Sequence, residues 1–325
     1  MTGKTTLSLL ILTALTLLPS QTLASQPCTP NDPSATFTAN LSLPPAQSEP
    51  WNAIRQSIVS GNFIQAENRL RSSPPSPDRW LWRGVLLLHK RKTFASIRSL
   101  EHSARLKDTS LIETLLAVDY FLLNQRTLAA DAIERALHLD PQNTMALYLR
   151  GRLEFVAASF RQARNDFSAV LAAEPHDFHS LYYLGFCEWR LGRNDEARKT
   201  LLDGVEVLTC HHLRFPLAPY TLAQLELNAG ENPSALTHIN LAVQMAEAPV
   251  EKDPELAAKA LALRGKIEVA LGRRADAEHD LEESVKEDPL MAESWYLLAR
   301  LYQEEGQKAR AAAALNQFRK IQSEL

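Results

Sequence analysis

A fixed spacing of 34 residues recurs through most of this chain and constrains its fold more than any other feature. Gly151 and Gly185 stand 34 apart, as do Ala163 and Ala197, Pro141 and Pro175, Gly265 and Ala299, and Gly272 and Gly306. A period of this size belongs to stacked supersecondary units, each burying its apolar face against its neighbours rather than around one centre. Within each unit the apolar residues fall three and four apart, the pattern of amphipathic helices. A Gly or polar turn splits the unit, and a Pro often closes it, where no helix can continue. The unit from Thr144 reads Leu147, Gly151, Phe160, Ala163, Phe167 and Pro175. The unit from Phe178 reads Leu181, Leu184, Gly185, Gly192, Ala197 and Leu201, and that from Ala292 reads Trp295, Leu298, Ala299, Gly306, Ala311 and Leu315. Each unit is a helical hairpin whose small residues let its two helices approach.

This order of landmarks resembles the tetratricopeptide repeat. Eight units fit, starting near Gln47, Pro77, Ser110, Thr144, Phe178, Pro216, Ala258 and Ala292, with Pro50 crowding the first. The resemblance covers residues 47–325 and implies an all-α, right-handed superhelical solenoid of about eight hairpins. Two joints exceed the period: Gly185 to Ala223 is 38 residues and Ala223 to Gly265 is 42, with the extra residues near Leu208–Phe215 and Glu247–Leu256.

Residues 1–25 are of another kind. Lys4, the apolar run Leu7–Leu18, and the ending Thr22-Leu23-Ala24-Ser25 have the three-part layout of a secretory signal peptide. Twelve apolar residues are too few for a bilayer span, which needs about 20. The expected location is periplasmic or extracellular, in a bacterial envelope, with no membrane span after cleavage. Gln26 and Pro27 before Cys28 do not make a lipobox. Residues 26–46, rich in Pro, Ser and Thr, read as a flexible leader. The formal net charge of −3 gives no broad basic field for nucleic acid or for an anionic membrane. Three cysteines leave at least one unpaired within a chain. Cys187 lies inside a first helix and Cys210 at the far end of the next, too far apart in height for a bridge, so no structural disulfide is expected.

Site chemistry is sparse. The glycines serve the intra-hairpin turn (Gly61, Gly192, Gly230, Gly272, Gly306), a helix-packing slot (Gly84, Gly151, Gly185, Gly265) or a small-residue slot of a second helix (Gly204), and with Gly3 in the N-terminal segment none is left for a phosphate-cradling loop. Gly3-Lys4-Thr5 lacks the upstream Gly of a P-loop. Cys210-His211-His212 points three ways around a helix end and reads as a polar terminus rather than a metal site, as do His176 and His179 at a junction. Glu154, Glu188, Glu226 and Glu268 share one slot, roughly 10 Å apart by helix-packing distance. With Arg150 and Arg264 four residues before two of them, they read as a polar ladder between repeats rather than a catalytic pair. No catalytic residue, cofactor or metal is expected.

In the family that the chain resembles, the first helix of each repeat lines a concave groove for peptides. Carried over slot by slot, that resemblance puts Tyr148, Arg152, Phe155, Tyr182, Phe186, Trp189, Arg190 and Tyr220 on one wall. Aromatics and Arg dominate binding hot spots. The Lys-with-Asn pattern of carboxylate-clamping repeats is missing from the fifth and ninth slots. The leading expectation is an exported, non-enzymatic scaffold for a protein or peptide partner. Its rivals are a structural or assembly subunit of an envelope or secretion complex and, further off, an enzyme or accessory module.

Overall fold

A computed structural model describes residues 48–248 and 253–324; the expected signal segment and leader, residues 1–46, lie outside the described residues. Among the described residues there are sixteen helices and no strand, paired as eight hairpins. These are α1 (Trp51–Val59) with α2 (Phe63–Ser72), α3 (Pro77–His89) with α4 (Thr93–Leu106), α5 (Ser110–Leu122) with α6 (Arg126–Leu139), and α7 (Thr144–Val156) with α8 (Phe160–Ala173). Then come α9 (Phe178–Arg190) with α10 (Asn194–Cys210), α11 (Leu217–Asn228) with α12 (Asn232–Ala246), α13 (Pro254–Ala270) with α14 (Arg274–Glu287), and α15 (Ala292–Glu304) with α16 (Lys308–Glu324). The chain is an all-α solenoid. Its long joint before α11 combines a 17-residue α10 with the loop 211–216.

Local chemistry sets where the hairpins begin and turn. Ser76, Thr109, Asn143, Asp177 and Asp253 each cap a first helix, their side chains accepting the backbone N–H three residues on. Such caps satisfy otherwise orphaned donors. The turns need one left-handed residue, and Gly61, Gly192, Gly230, Gly272 and Gly306 supply it with φ between 70° and 78°. The other three hairpins put Arg91, Asn124 and Ala158 in that slot, with φ of 55° to 57°. Serine bridges tie neighbouring elements: Ser103 Oγ donates to the Pro77 carbonyl at 2.8 Å, Ser110 Oγ to Ala136 at 2.8 Å, and Ser284 Oγ to Ala258 at 2.8 Å.

Buried apolar residues form successive clusters along the array instead of one centre. The small residues of the packing slot have the expected role. A Cβ added at Gly185 would stand 2.7 Å from Leu201 Cγ and 3.3 Å from the Ala197 carbonyl oxygen, and Gly84 and Gly265 face Leu100 and Leu281 as tightly. Gly185→Leu is therefore expected to cost on the order of 1–3 kcal/mol or more by overpacking. Chemical denaturation measures this, and a variant as stable as its parent would remove Gly185 from that contact.

The cysteines correct the expectation of no disulfide. Cys210 is disulfide-bonded, whereas Cys187 is free and buried, so the excluded Cys187–Cys210 pair is indeed not the one formed. The third cysteine, Cys28, lies outside the described residues. Helix geometry rules out the Cys187–Cys210 pair but says nothing about cysteines outside the hairpins, and closing a longer loop costs little more than closing a short one. With its sulfur in a disulfide, Cys210 is no thiolate metal ligand beside His211 and His212.

Candidate functional site: the inner wall of hairpins 4 to 6

Consecutive first helices approach each other along the whole array, α5 on α7, α7 on α9 and α9 on α11 among them, while no pair of second helices does so comparably. The tighter spacing makes the first helices the inner wall. On α7 and α9 the aromatic residues form one connected set. Phe155 lies 5.1 Å from Phe186 and 4.9 Å from Tyr183, and Phe186 lies 5.8 Å from Trp189, all edge-on. Edge-on pairs set the positive rim of one ring against the negative face of the next. Phe160, at the start of α8, joins at 6.0 Å from Phe155.

The two arginines sit on this set. Arg152 lies 5.6 Å above Phe121 and 5.9 Å above both Tyr148 and Tyr183, and Arg190 lies 4.7 Å above Phe160. Cation–π placement leaves guanidinium N–H groups directed sideways for an acceptor. Arg190 is exposed and Arg152 half-buried.

The tyrosines divide. Tyr148 and Tyr182 are only 3% and 7% exposed. Burial raises the pKa of both hydroxyls, that of Tyr182 to about 12. Tyr182 packs 5.1 Å from Phe215, with the Thr221 side chain offsetting part of the burial effect on its hydroxyl. These two rings hold the wall together from behind. Phe155, Phe186, Trp189 and Tyr220 are half-buried and present surface. Tyr220 accepts from Gln224 Nε2 at 3.3 Å. Tyr183 and Phe215 occupy none of the groove slots read from the sequence, and Phe160 enters that reading only as a repeat landmark. Tyr183 stacks on Phe167 at 5.1 Å and 14°, one position beyond the slot that was followed. Burial, with Arg152 nearby, lowers the His179 pKa to about 4, so that ring is neutral at ordinary pH.

Beside Trp189, where α9 turns into α10, opens a polar cleft of about 480 Å³ lined by Asn194, Asp195, Arg198, Asn228 and Glu231. An Arg198–Glu231 ion pair crosses it. The aromatic row thus ends in a pocket with donors and acceptors at its rim.

The glutamate ladder needs correction. Arg150 does not pair along its own helix with Glu154; it makes a bidentate bridge to Asp166 on α8, at 2.7 and 2.6 Å. Arg264 binds Asp280 on α14 in the same way. Two convergent acceptors on the facing helix match the planar guanidinium better than one carboxylate four residues on. Only Glu188 reaches across a repeat boundary, 3.7 Å from Arg164, and also accepts from Thr200 at 2.9 Å. Glu226 meets His238 of its own hairpin at 2.7 Å. Burial, with Asp166 and Asp280 beside them, raises Glu154 and Glu268 to about 7.

Residues 155–206 and 262–324 match the tetratricopeptide repeat family model. Tetratricopeptide repeat protein 7A of Homo sapiens is 31% identical over 139 residues, which are 42% of this chain and 16% of that protein. Among solved structures, the Cut9–Hcn1 hetero-tetramer of the APC/C gives a TM-score of 0.60 at 16% identity, covering 81% of this chain and 50% of that one. PilF of Pseudomonas aeruginosa gives 0.58 at 16%, covering 69% and 97%. At these identities the likeness concerns the fold. The described chain is a solenoid of tetratricopeptide-type hairpins, with the repeat signature itself in residues 155–206 and 262–324.

Proposed function

We propose that the protein is an exported, non-enzymatic scaffold that holds an extended peptide or protein segment against the inner wall of α7, α9 and α11. The observation that carries this reading is the half-buried row Phe155–Phe186–Trp189, flanked by Arg152 and Arg190 and ending in the polar cleft. Partly exposed rings held by buried ones offer area at low entropy cost, and the guanidinium groups give a bound backbone its direction. The repeat fold supports the same reading, since such solenoids present long concave surfaces. Capture from envelope extracts with photo-crosslinking tests it. Crosslinks should map to α7, α9 and α11; crosslinks confined to the second helices would place the partner on the outer face and sink the groove.

Export rests on Lys4, the Leu7–Leu18 run and Ala24. The disulfide at Cys210 supports it, because such bonds persist in oxidising compartments. The chain isolated from its host should begin at Ser25 or Gln26. After denaturation and alkylation without reductant it should carry one blocked thiol, on Cys187. Intact-mass spectrometry reads both. A Met1 terminus would refute export, and three blocked thiols would refute the disulfide.

A further inference from the structure

The edge where first helices turn into second helices changes chemistry halfway along the array. Take the six residues from the last of each first helix to the second of its partner. In hairpins 1–4 these segments (59–64, 89–94, 122–127, 156–161) hold Lys90, Arg91, Lys92, Arg126 and Arg161 and no acid. In hairpins 5–8 (190–195, 228–233, 270–275, 304–309) an equal number of cations is offset by Asp195, Glu231, Glu304 and Glu305. Exposed apolar residues divide the same way: Val59, Ile64, Phe94, Leu122 and Val156 in the first set, Leu191 alone in the second. Ile64 and Phe94 are 77% and 68% exposed. Charge follows the same axis. Residues 51–109 contain 11 Lys and Arg against 4 Asp and Glu, whereas residues 110–325 contain 23 against 32.

Hairpin 2 is where this edge departs furthest from what the fold asks. Its turn reads Lys90-Arg91-Lys92, and Arg91 occupies the left-handed slot that glycine fills in five other hairpins. A side chain there is strained where glycine is not. A cation placed at a position that local structure disfavours points to a role for its charge. Lys90 has Glu67 at 3.4 Å, while Arg91, Lys92 and Arg161 make no ion pair among the described residues.

Single apolar side chains, one or two per hairpin and set about 10 Å apart by helix packing, do not form a groove around a peptide. They form a rim. Such a rim, with cations interleaved, suits a planar anionic surface, where apolar groups enter the headgroup–acyl boundary and Lys and Arg meet the phosphates. We propose that the turn edge of hairpins 1–4 rests on an anionic lipid membrane, with Ile64 and Phe94 entering the interface and Lys90, Arg91 and Lys92 as the main charge contact. The association is peripheral: among the described residues no helix is long and apolar enough to cross a bilayer. The acidic remainder is repelled by the same surface, which orients the array with its first hairpins on the lipid and its aromatic wall open to the aqueous side.

Vesicle co-sedimentation of the protein isolated from its host tests this, using phosphatidylcholine with phosphatidylglycerol against phosphatidylcholine alone. The parent should bind the anionic vesicles, release with salt, and leave the neutral ones unbound. The triple variant Lys90→Gln, Arg91→Gly, Lys92→Gln should bind on the order of 100-fold more weakly. It should melt no lower than the parent, because glycine relieves the turn. Phe94→Ser should weaken binding roughly tenfold. Arg274→Gln, on the same edge of hairpin 7 and paired with Glu304, should change nothing. The proposal falls if the parent ignores anionic vesicles, binds both kinds alike, or binds as well after the triple substitution. It falls equally if an acidic protein segment crosslinks to Lys90–Lys92 while vesicles leave the parent unbound.

Discussion

Asp119→Asn is expected to make the protein more stable at pH 8 by about 2–4 kcal/mol and to leave it nearly unchanged below pH 4. Asp119 lies on α5 at a slot that reads Leu86, Leu153, Cys187, Leu225, Ile267 and Leu301 in other hairpins, and it is fully buried. Neither carboxylate oxygen has a hydrogen-bond partner. Burial pushes its pKa from 3.8 up to about 7. The nearby Ser96 hydroxyl offsets this only in part, because it donates to the Gly84 carbonyl at 2.9 Å. The sign follows from proton binding. Between about pH 4 and pH 7 the unfolded chain has released this proton and the folded chain keeps it, so stability falls as pH rises through that window and stays low above it. A shift of roughly three pH units corresponds to about 4 kcal/mol, reduced by the buried amide that replaces the acid. Part of the parent's slope should survive in the variant, since Glu154 and Glu268 titrate in the same range. Chemical denaturation across pH, followed by circular dichroism, measures the difference. Parallel curves for parent and variant would mean that Asp119 is ionised and solvated in the folded chain.

That acid shows what a periodic sequence makes legible and what it hides. The period alone fixes which residues are equivalent, so the packing role of Gly84, Gly151, Gly185 and Gly265 could be read from spacing and is found in their contacts. Equivalence does not say which way an arginine turns. Arg150 stands four residues before Glu154, yet its partner is Asp166 across the hairpin, because two helices packed side by side bring a better-shaped acceptor than one helix offers itself. Nor does slot identity give burial. Tyr148, Tyr182 and Tyr220 share a slot, but Tyr183 and Phe215 cover Tyr182, and Phe167 and Tyr183 cover Tyr148, while Tyr220 stays half-buried. The disulfide at Cys210 leaves no periodic trace, since no other hairpin carries a cysteine at the equivalent position.

Phe186→Ala combined with Trp189→Ala is expected to abolish partner capture while leaving helical content unchanged. Tyr182 is a poor choice for this experiment: its ring is buried against Phe215 and Phe186, so truncation would open a cavity and confuse folding with binding. Phe186 and Trp189 are half-buried and adjacent, at 5.8 Å, between Phe155 on one side and the polar cleft on the other. Loss of a central hot-spot aromatic typically costs about 2 kcal/mol, roughly 30-fold in affinity. Neighbouring rings act together, so the pair is expected to lose at least that much and not a simple sum. Arg190 supplies a second, separable readout. Its guanidinium lies over Phe160 and is exposed, so Arg190→Gln should weaken capture while leaving the aromatic packing intact. Lys259→Ala, on α13 and paired with Glu255 at 2.5 Å, lies outside the row and should have no effect. Were the folded double variant to hold the partner at parental affinity, the inner wall of hairpins 4–6 would be packing and not a recognition surface. The partner would then have to sit on the outer helices or at an end of the array.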